Sequence, residues 1–278
     1  MKVDRTNLED VLCPICGARP MPFAKDHCGR QLSRCGSCRL EFLSPRPRME
    51  TLVAEVYGEE YFDINKDPAR SRDIERLIAG QLDRLEAMCG RRGAVLDVGC
   101  GDGTFLRMAI DRGWSAVGTD IRISSPARAV GFPVHEGPLA EQPLDAGQFD
   151  LIRFNHVLEH TPDPVSELRA ANRLLKDDGL LFVSVPNIGG IPTGIKTLQS
   201  RLRLKSRVYQ HYAAGHHLFF FKRSTLARVL TVAGFRVESW ETPTPQRHDR
   251  SRLAHSFNKL IFERTRTASI LDFYCVKA

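Results

Sequence analysis

Three groups of residues in this chain have the types and spacing to do chemistry. Cys13 and Cys16 in "LCPICG", with Cys35 and Cys38 in "SRCGSCRL", make two C-x-x-C pairs separated by eighteen residues. Two such turns bring four thiolates into a tetrahedron around Zn(II), and a shell filled by four cysteines has no open position, so the metal's job would be structural. A redox dithiol is the competing use of such a pair. Gly99, Gly101 and Gly103 alternate in "AVLDVGCGDGTF" behind Asp97, and Asp120 closes "WSAVGTD". Finally, Asn155, His156, Glu159 and His160 share "FDLIRFNHVLEHTPDP", and His217 stands in "GHHLFFFKRSTL". Imidazoles titrate near neutrality and suit proton transfer. Glu159 is either a loop-bonding residue or a metal partner for an acceptor.

The glycines select a ligand by what they lack. A triphosphate loop ends in G-K-[ST], and "GDGTFL" has no lysine. A dinucleotide fingerprint spaces its glycines G-x-G-x-x-G, whereas these alternate, and the Asp97 carboxylate would repel a pyrophosphate. It would suit a ligand carrying an ammonium group. An acid at the tip of the next strand, Asp120, can accept both hydroxyls of a ribose. The pattern points to an adenosine that bears an amino acid.

These residues need elements to hold them. "AVLDVGC" has the aliphatic density of a buried parallel strand, and "TFLRMAIDRG" predicts a helix ending at Gly113. "WSAVGTDI", "FDLIRFN" and "LLFVSVPN" are further strands, "DPVSELRAANRLL" a helix, and "FRVESWET" and "ILDFYCVKA" two closing strands. Before them, Ile74, Leu77, Ile78, Leu82, Leu85 and Met88 fall at helical spacing, so an amphipathic connector is expected over about 70–90. Leu253, Phe257, Leu260 and Ile261 form a similar stripe, for core packing or contact with a lipid surface.

The segments "VLDVGCGDGTFL", "FDLIRFNHVLEHTPDP", "LLKDDGLLFVSVPN" and "HHLFFFKRSTLARVLTVAGF", in this order, resemble class I S-adenosylmethionine-dependent methyltransferases. "CPICG", "CGSC" and "PRP" resemble members that carry an amino-terminal zinc ribbon. The resemblance implies an α/β chain: a doubly wound, Rossmann-like, seven-stranded sheet with a small zinc-ribbon domain. The expected division is a ribbon over 1–44, a helical connector over 45–92, and the methyltransferase domain over 93–278 with a basic lid at about 188–215. It implies that Gly99, Cys100, Gly101 and Gly103 hug the methionine part and ribose of S-adenosylmethionine, and that Asp97 serves its amino end directly or through water. Asp120 would hold the ribose hydroxyls, and Asn155 would stand near the sulfonium. Similar enzymes often read "GDAEELPF" where this chain has "GPLAEQPL", with Pro138 at the place of the aspartate. Backbone groups near Leu139 or Ala140 would then recognise adenine. His160 is the leading candidate base, with His156 closer to the cofactor and His217 facing the acceptor cleft.

The chain has 278 residues, 42% hydrophobic and 26% charged, with a formal charge of +7. It has no apolar signal core, which leads to the expectation of a cytoplasmic protein. Lys196, Arg201, Arg203, Lys205 and Arg207 fit an anionic acceptor or a peripheral membrane contact. The expected activity is methyl transfer to an oxygen or carbon of a small, anionic biosynthetic acceptor, such as a nucleotide-linked sugar. RNA methylation with the ribbon as a docking module is the alternative, disfavoured because the ribbon segment offers few stacking aromatics beyond Phe23 and Phe42. A non-catalytic cofactor-binding protein is a third.

Overall fold

The computed structural model of the chain describes residues 7–55, 68–129, 131–244 and 261–278. At the amino end, strands β1 (Leu8–Glu9), β2 (Pro20–Lys25), β3 (Gln31–Cys35), β4 (Glu41–Leu43) and β5 (Arg46–Pro47) precede helices α1 (Met49–Glu55) and α2 (Pro68–Cys89). Alternation follows: β6 (Ala94–Val98), α3 (Thr104–Asp111), β7 (Ser115–Asp120), α4 (Ser125–Ala129), β8 (Val134–Glu136), β9 (Phe149–Asn155), α5 (Pro164–Leu174) and β10 (Leu175–Pro186). The chain ends with α6 (Ile191–Arg201), β11 (Phe219–Phe220), α7 (Arg223–Val232), β12 (Phe235–Glu241) and β13 (Ile270–Lys277).

Seven strands form one sheet in the order β12-β13-β10-β9-β6-β7-β8. The pairs from β8 through β10 are parallel, and β13 is antiparallel to both of its neighbours. This is the Rossmann-like sheet expected. The strand order reverses between β6 and β9, and a sheet of this kind opens a ligand crevice at the carboxyl ends of its strands there. The central strands are apolar on both faces because helices cover both: β9 is buried through Phe154. Local signals agree with this placement. Asp163 caps α5 by accepting from the Val165 and Ser166 N–H groups, each at 3.0 Å, and Pro164 opens the helix.

The connector forms as α2, with Ile78, Leu82 and Leu85 buried, whereas Leu77 and Met88 of the same stripe face solvent. It packs on α3 and the sheet, and Gln81 reaches the site described below. Of the carboxy-terminal stripe, Leu253, Phe257 and Leu260 lie outside the described residues, and Ile261 is exposed. The segment expected as a lid contains α6 and a 3-10 turn at Gln210–Tyr212.

The amino-terminal strands do not close on themselves. β2, β3 and β4 are joined by β11, from far along the chain, in a four-stranded antiparallel sheet ordered β11-β4-β3-β2. Glu41 on β4, fully buried, fastens the junction. It accepts from Arg34 Nε at 2.9 Å, Tyr212 Oη at 2.8 Å and Lys222 Nζ at 2.9 Å. A buried carboxylate with two cations and a hydroxyl on it has most of its lone pairs satisfied.

Candidate active site

A cavity of about 510 Å³ opens at the carboxyl ends of β6, β7 and β9, within the range of small-molecule sites. Its wall includes Gly99, Gly101, Asp120, Leu139, Asn155 and His156, which the sequence had marked, and Met49 from α1, which it had not.

The glycine loop is built by left-handed backbone at Gly99 (φ 69°), Gly101 (φ 59°) and Gly103 (φ 78°), a region L side chains rarely adopt. Its amides are consumed internally. Gly99 and Cys100 N–H donate to the Thr119 carbonyl at 2.7 and 3.1 Å, Gly101 N–H to Asp120 Oδ2 at 2.8 Å, and Gly103 N–H to the Cys100 carbonyl at 2.9 Å. A phosphate-binding loop instead presents such amides to its anion. Gly101 has open space where a Cβ would point, so a ligand can lie against its backbone. The Cys100 thiol is buried toward Gly118 on β7, behind the loop.

Asp97 also stands behind the loop. It is fully buried and takes Arg153 Nη1 at 2.6 Å, while Arg153 Nε donates to Gln81 Oε1 at 2.7 Å and Gln81 Nε2 to Asn155 Oδ1 at 3.3 Å. Burial pushes the Asp97 carboxyl up to about 6, against the pull of Arg153, so at neutral pH the pair is ionic. It does not line the cavity, and its carboxylate starts a chain that runs through Arg153 and Gln81 to Asn155. Arg153 could have been suspected from sequence only as a charge inside an apolar strand. Asp120 is on the cavity wall and is braced by the Gly101 and Arg122 amides, which aims its carboxylate.

At the far end, Leu139 lines the cavity, but its N–H donates to Glu167 Oε2 at 3.0 Å. Of the backbone groups expected near Leu139 or Ala140 for adenine, the Leu139 amide is thus held by Glu167 on α5, which also lines the wall.

The histidines gather at the opposite end. His156 has left-handed φ (58°), uncommon for a non-glycine residue, and its amide is fixed to the Ser184 carbonyl at 2.9 Å. Its Nδ1 meets Glu159 Oε1 at 3.2 Å. Burial alone would lower its pKa, but that carboxylate outweighs burial and raises it. His160 and His216 also line the cavity. His160 Nδ1 lies 3.0 Å from the His216 carbonyl, which can only accept, so Nδ1 carries the proton. Burial lowers the pKa of His160 and takes His217 down to about 3. His217 sits edge-on to His160, 4.8 Å between ring centres, and among the described residues it groups with Glu159 and His160. The Glu159 carbonyl accepts from the Leu218 and Phe219 amides at 2.6 and 3.1 Å, which ties the His217 segment to this loop.

Asp272 on β13 lies beneath this end, taking Ser184 Oγ at 2.6 Å, and burial pushes it up from 3.8 to about 6. A carboxyl raised in the fold keeps a proton that the unfolded chain has released. Its stabilising contribution is present below pH 3.8 and is lost as pH rises to 6. Asp272→Asn is therefore expected to flatten the fall in stability across that window and to raise stability at pH 7 by up to roughly 3 kcal/mol. Urea unfolding at a series of pH values checks it; an unchanged slope would exclude Asp272 as the source.

The four cysteines converge on one another beside the four-stranded sheet. Cys13 and Cys38 sulfurs are 3.3 Å apart, Cys16 and Cys35 3.5 Å, and all four lie within 4.8 Å of one another. Thiolates on one Zn(II) at 2.3 Å would stand about 3.8 Å apart, so the set fits that ion. Burial would raise the Cys35 thiol, but the Cys38 amide at 3.4 Å and neighbouring thiols outweigh it and bring the group down to about 7.

Comparison with known proteins agrees with this geometry. A family model described as a methyltransferase domain matches residues 70–239, starting on α2 rather than at β6. The ubiquinone biosynthesis O-methyltransferase of Pseudomonas aeruginosa is 32% identical over 142 residues, covering 48% of this chain and 60% of that protein. That of Marinobacter nauticus is 31% identical over 144 residues, with the same coverage. The chain thus spans about 60% of the length of the curated relatives it matches. Among solved structures, the Burkholderia thailandensis 1,6-didemethyltoxoflavin-N1-methyltransferase, bound to 1,6-didemethyltoxoflavin and S-adenosylhomocysteine, is similar in fold. Its TM-score is 0.55 at 19% identity, covering 92% of this chain and all of that one. A SAM-dependent methyltransferase from Archaeoglobus fulgidus has TM-score 0.52 at 20% identity, covering 73% of this chain and 94% of that one. With more than half its length matched by the family model, this chain belongs to the class I S-adenosylmethionine-dependent methyltransferases.

Proposed function

We propose that the chain transfers the methyl group of S-adenosylmethionine to an oxygen of a small acceptor, and that His156 is the base. The observation that carries this reading is His156 held by Glu159 on the wall of the same cavity that the glycine loop and Asp120 line. In the transfer, the acceptor oxygen attacks the methyl carbon, the carbon–sulfur bond breaks toward sulfur, and the hydroxyl proton passes to His156. A carboxylate on one ring nitrogen fixes the tautomer and raises the basicity of the other, as in a nucleophile–His–acid arrangement. This moves the base from His160, whose Nδ1 is held by a neutral backbone carbonyl, to His156, whose Nδ1 is held by a carboxylate. The O-methyltransferase names of the curated relatives support oxygen as the acceptor atom.

Charge supports an anionic acceptor, with nucleotide-linked sugars as one class to try. No Asp or Glu occurs from Gly179 through Val237, and Lys196, Arg201, Arg203, Lys205 and Arg207 fall in that stretch. On and after α6, Ile195, Leu198, Leu202 and Leu204 are exposed beside these bases, a combination that suits a lipid surface or a lipid-like acceptor. No helix among the described residues is long and apolar enough to cross a membrane. The four cysteines hold structural Zn(II) in the same reading, supplying folding free energy to a small three-stranded unit.

Incubation of the purified chain with methyl-labelled S-adenosylmethionine and separate pools of phenolic lipids, nucleotide sugars and RNA tests the proposal. Label in a hydroxyl-bearing small molecule supports it, and label in RNA overturns it. With the acceptor found, His156→Ala is expected to lower kcat about 100-fold or more while S-adenosylhomocysteine affinity is kept. A variant with wild-type kcat would remove His156 as the base.

A further inference from the structure

Glu159 has two oxygens and only one is used. Oε1 takes His156, whereas Oε2 is fully buried and has no hydrogen-bond partner. The other such atoms among the described residues are threonine hydroxyls; Glu159 alone brings a charge. An uncompensated buried carboxylate oxygen is costly, so a native structure that keeps one has a use for it.

The neighbouring imidazoles indicate the use. With the His160 Nδ1 proton donated to a backbone carbonyl, the opposite nitrogen carries a lone pair, and that Nε2 faces Glu159 Oε1 at 4.0 Å. This is too long for a hydrogen bond and brings two electron-rich atoms toward each other. A cation beside them would be held by that ring nitrogen and by the Glu159 carboxylate, whose Oε2 is the oxygen left unused. A histidine tied through one nitrogen to a backbone carbonyl is also how metal-ligating imidazoles are oriented. The third donor is His217, whose ligating nitrogen lies within 4.8 Å of the other two donor atoms.

We propose that Glu159, His160 and His217 form a site for a divalent first-row transition cation, distinct from the cysteine cluster. Two imidazoles and one carboxylate are a donor set for Zn(II), Mn(II) or Fe(II). Three protein ligands leave positions open, and His160 lines the same cavity as His156, so an acceptor hydroxyl can fill one of them. Coordinated there, the oxygen is polarised and its proton is more easily taken by His156. That acceptor role rests on the methyl-transfer reading; the cation site does not.

Titration of the full-length, zinc-loaded protein with Mn(II), followed by the loss of the free-ion EPR signal, tests the site directly. Mn(II) prefers nitrogen and oxygen donors and leaves thiolate-bound zinc in place. The expected result is one bound Mn(II) per chain, with imidazole nitrogen couplings in the pulsed spectrum. Glu159→Gln and His217→Ala are each expected to weaken it at least about tenfold. His217→Ala removes no buried charge and serves if Glu159→Gln fails to fold, with S-adenosylhomocysteine affinity as the folding control. Absence of binding at millimolar Mn(II), or binding that both His217→Ala and His160→Gln leave unchanged, overturns the site. Normal Mn(II) binding without methyl transfer to any pool would overturn the proposed activity and leave the cation site standing.

Discussion

Replacing Gly99 by alanine is expected to weaken S-adenosylhomocysteine binding by at least about 100-fold and to destabilise the fold by roughly 2–5 kcal/mol. Two independent terms add. The residue has φ 69°, where an L side chain costs about 1–2 kcal/mol. Its new Cβ would then stand 2.3 Å from Val157 Cγ2, inside any real contact distance. Overpacking of that kind costs about 1–3 kcal/mol. Val157 is β-branched and has little rotamer freedom, so relief must come from the backbone that also carries His156. Gly101→Ala is the informative comparison, since its Cβ would meet nothing within 4 Å. It is expected to keep most of the stability and still lose cofactor affinity, because the space it enters is the cavity. Calorimetric titration with S-adenosylhomocysteine and urea unfolding measure both; equal stability of the two variants would show that the Val157 contact relaxes freely.

A comparably large loss is expected at Glu41, which does not line the cavity. Glu41→Ala leaves Arg34, Lys222 and the buried Tyr212 hydroxyl facing an empty space. Removing one partner of a buried ionic cluster costs about 3–5 kcal/mol, because the charges left behind have lost water as well as each other. Glu41→Gln retains an acceptor oxygen and is expected to cost less than half as much. Urea unfolding gives the values, and a loss below about 1 kcal/mol for Glu41→Ala would mean that water enters and resolvates the cations. The alanine variant is also expected to weaken activity, since Tyr212 and Lys222 bracket the segment that carries His216 and His217.

What the sequence disclosed here was periodic or local. The strand at Ala94–Val98, the glycine loop and the helix after it were legible because each is specified by consecutive residues, as were the two cysteine pairs. The helix over "DPVSELRAANRLL" and the closing strands were visible for the same reason. Contacts made by residues distant in sequence were not. Asp97 matched the place of a ligand-binding acid, and only the fold shows Arg153, 56 residues on, occupying it. Glu167 in turn takes up the Leu139 amide from 28 residues away, on a helix face that periodicity marks merely as buried. His160 drew attention by its position past the strand tip. Its tautomer is set by a carbonyl 56 residues later, which no local pattern records.

The strand β11 bears on how the chain is made. β2, β3 and β4 emerge from the ribosome early, whereas their fourth partner arrives only with Phe219–Phe220, after five of the seven strands of the large sheet have been synthesised. Closing so long a loop is entropically dear, and such distant pairings form late. During synthesis the ribbon therefore waits with the edge of β4 uncovered, and an exposed strand edge is a template for pairing with another chain. Shielding that edge is a task for the nascent chain's surroundings, and the docking of β11 that ends the exposure also delivers His217 to Glu159.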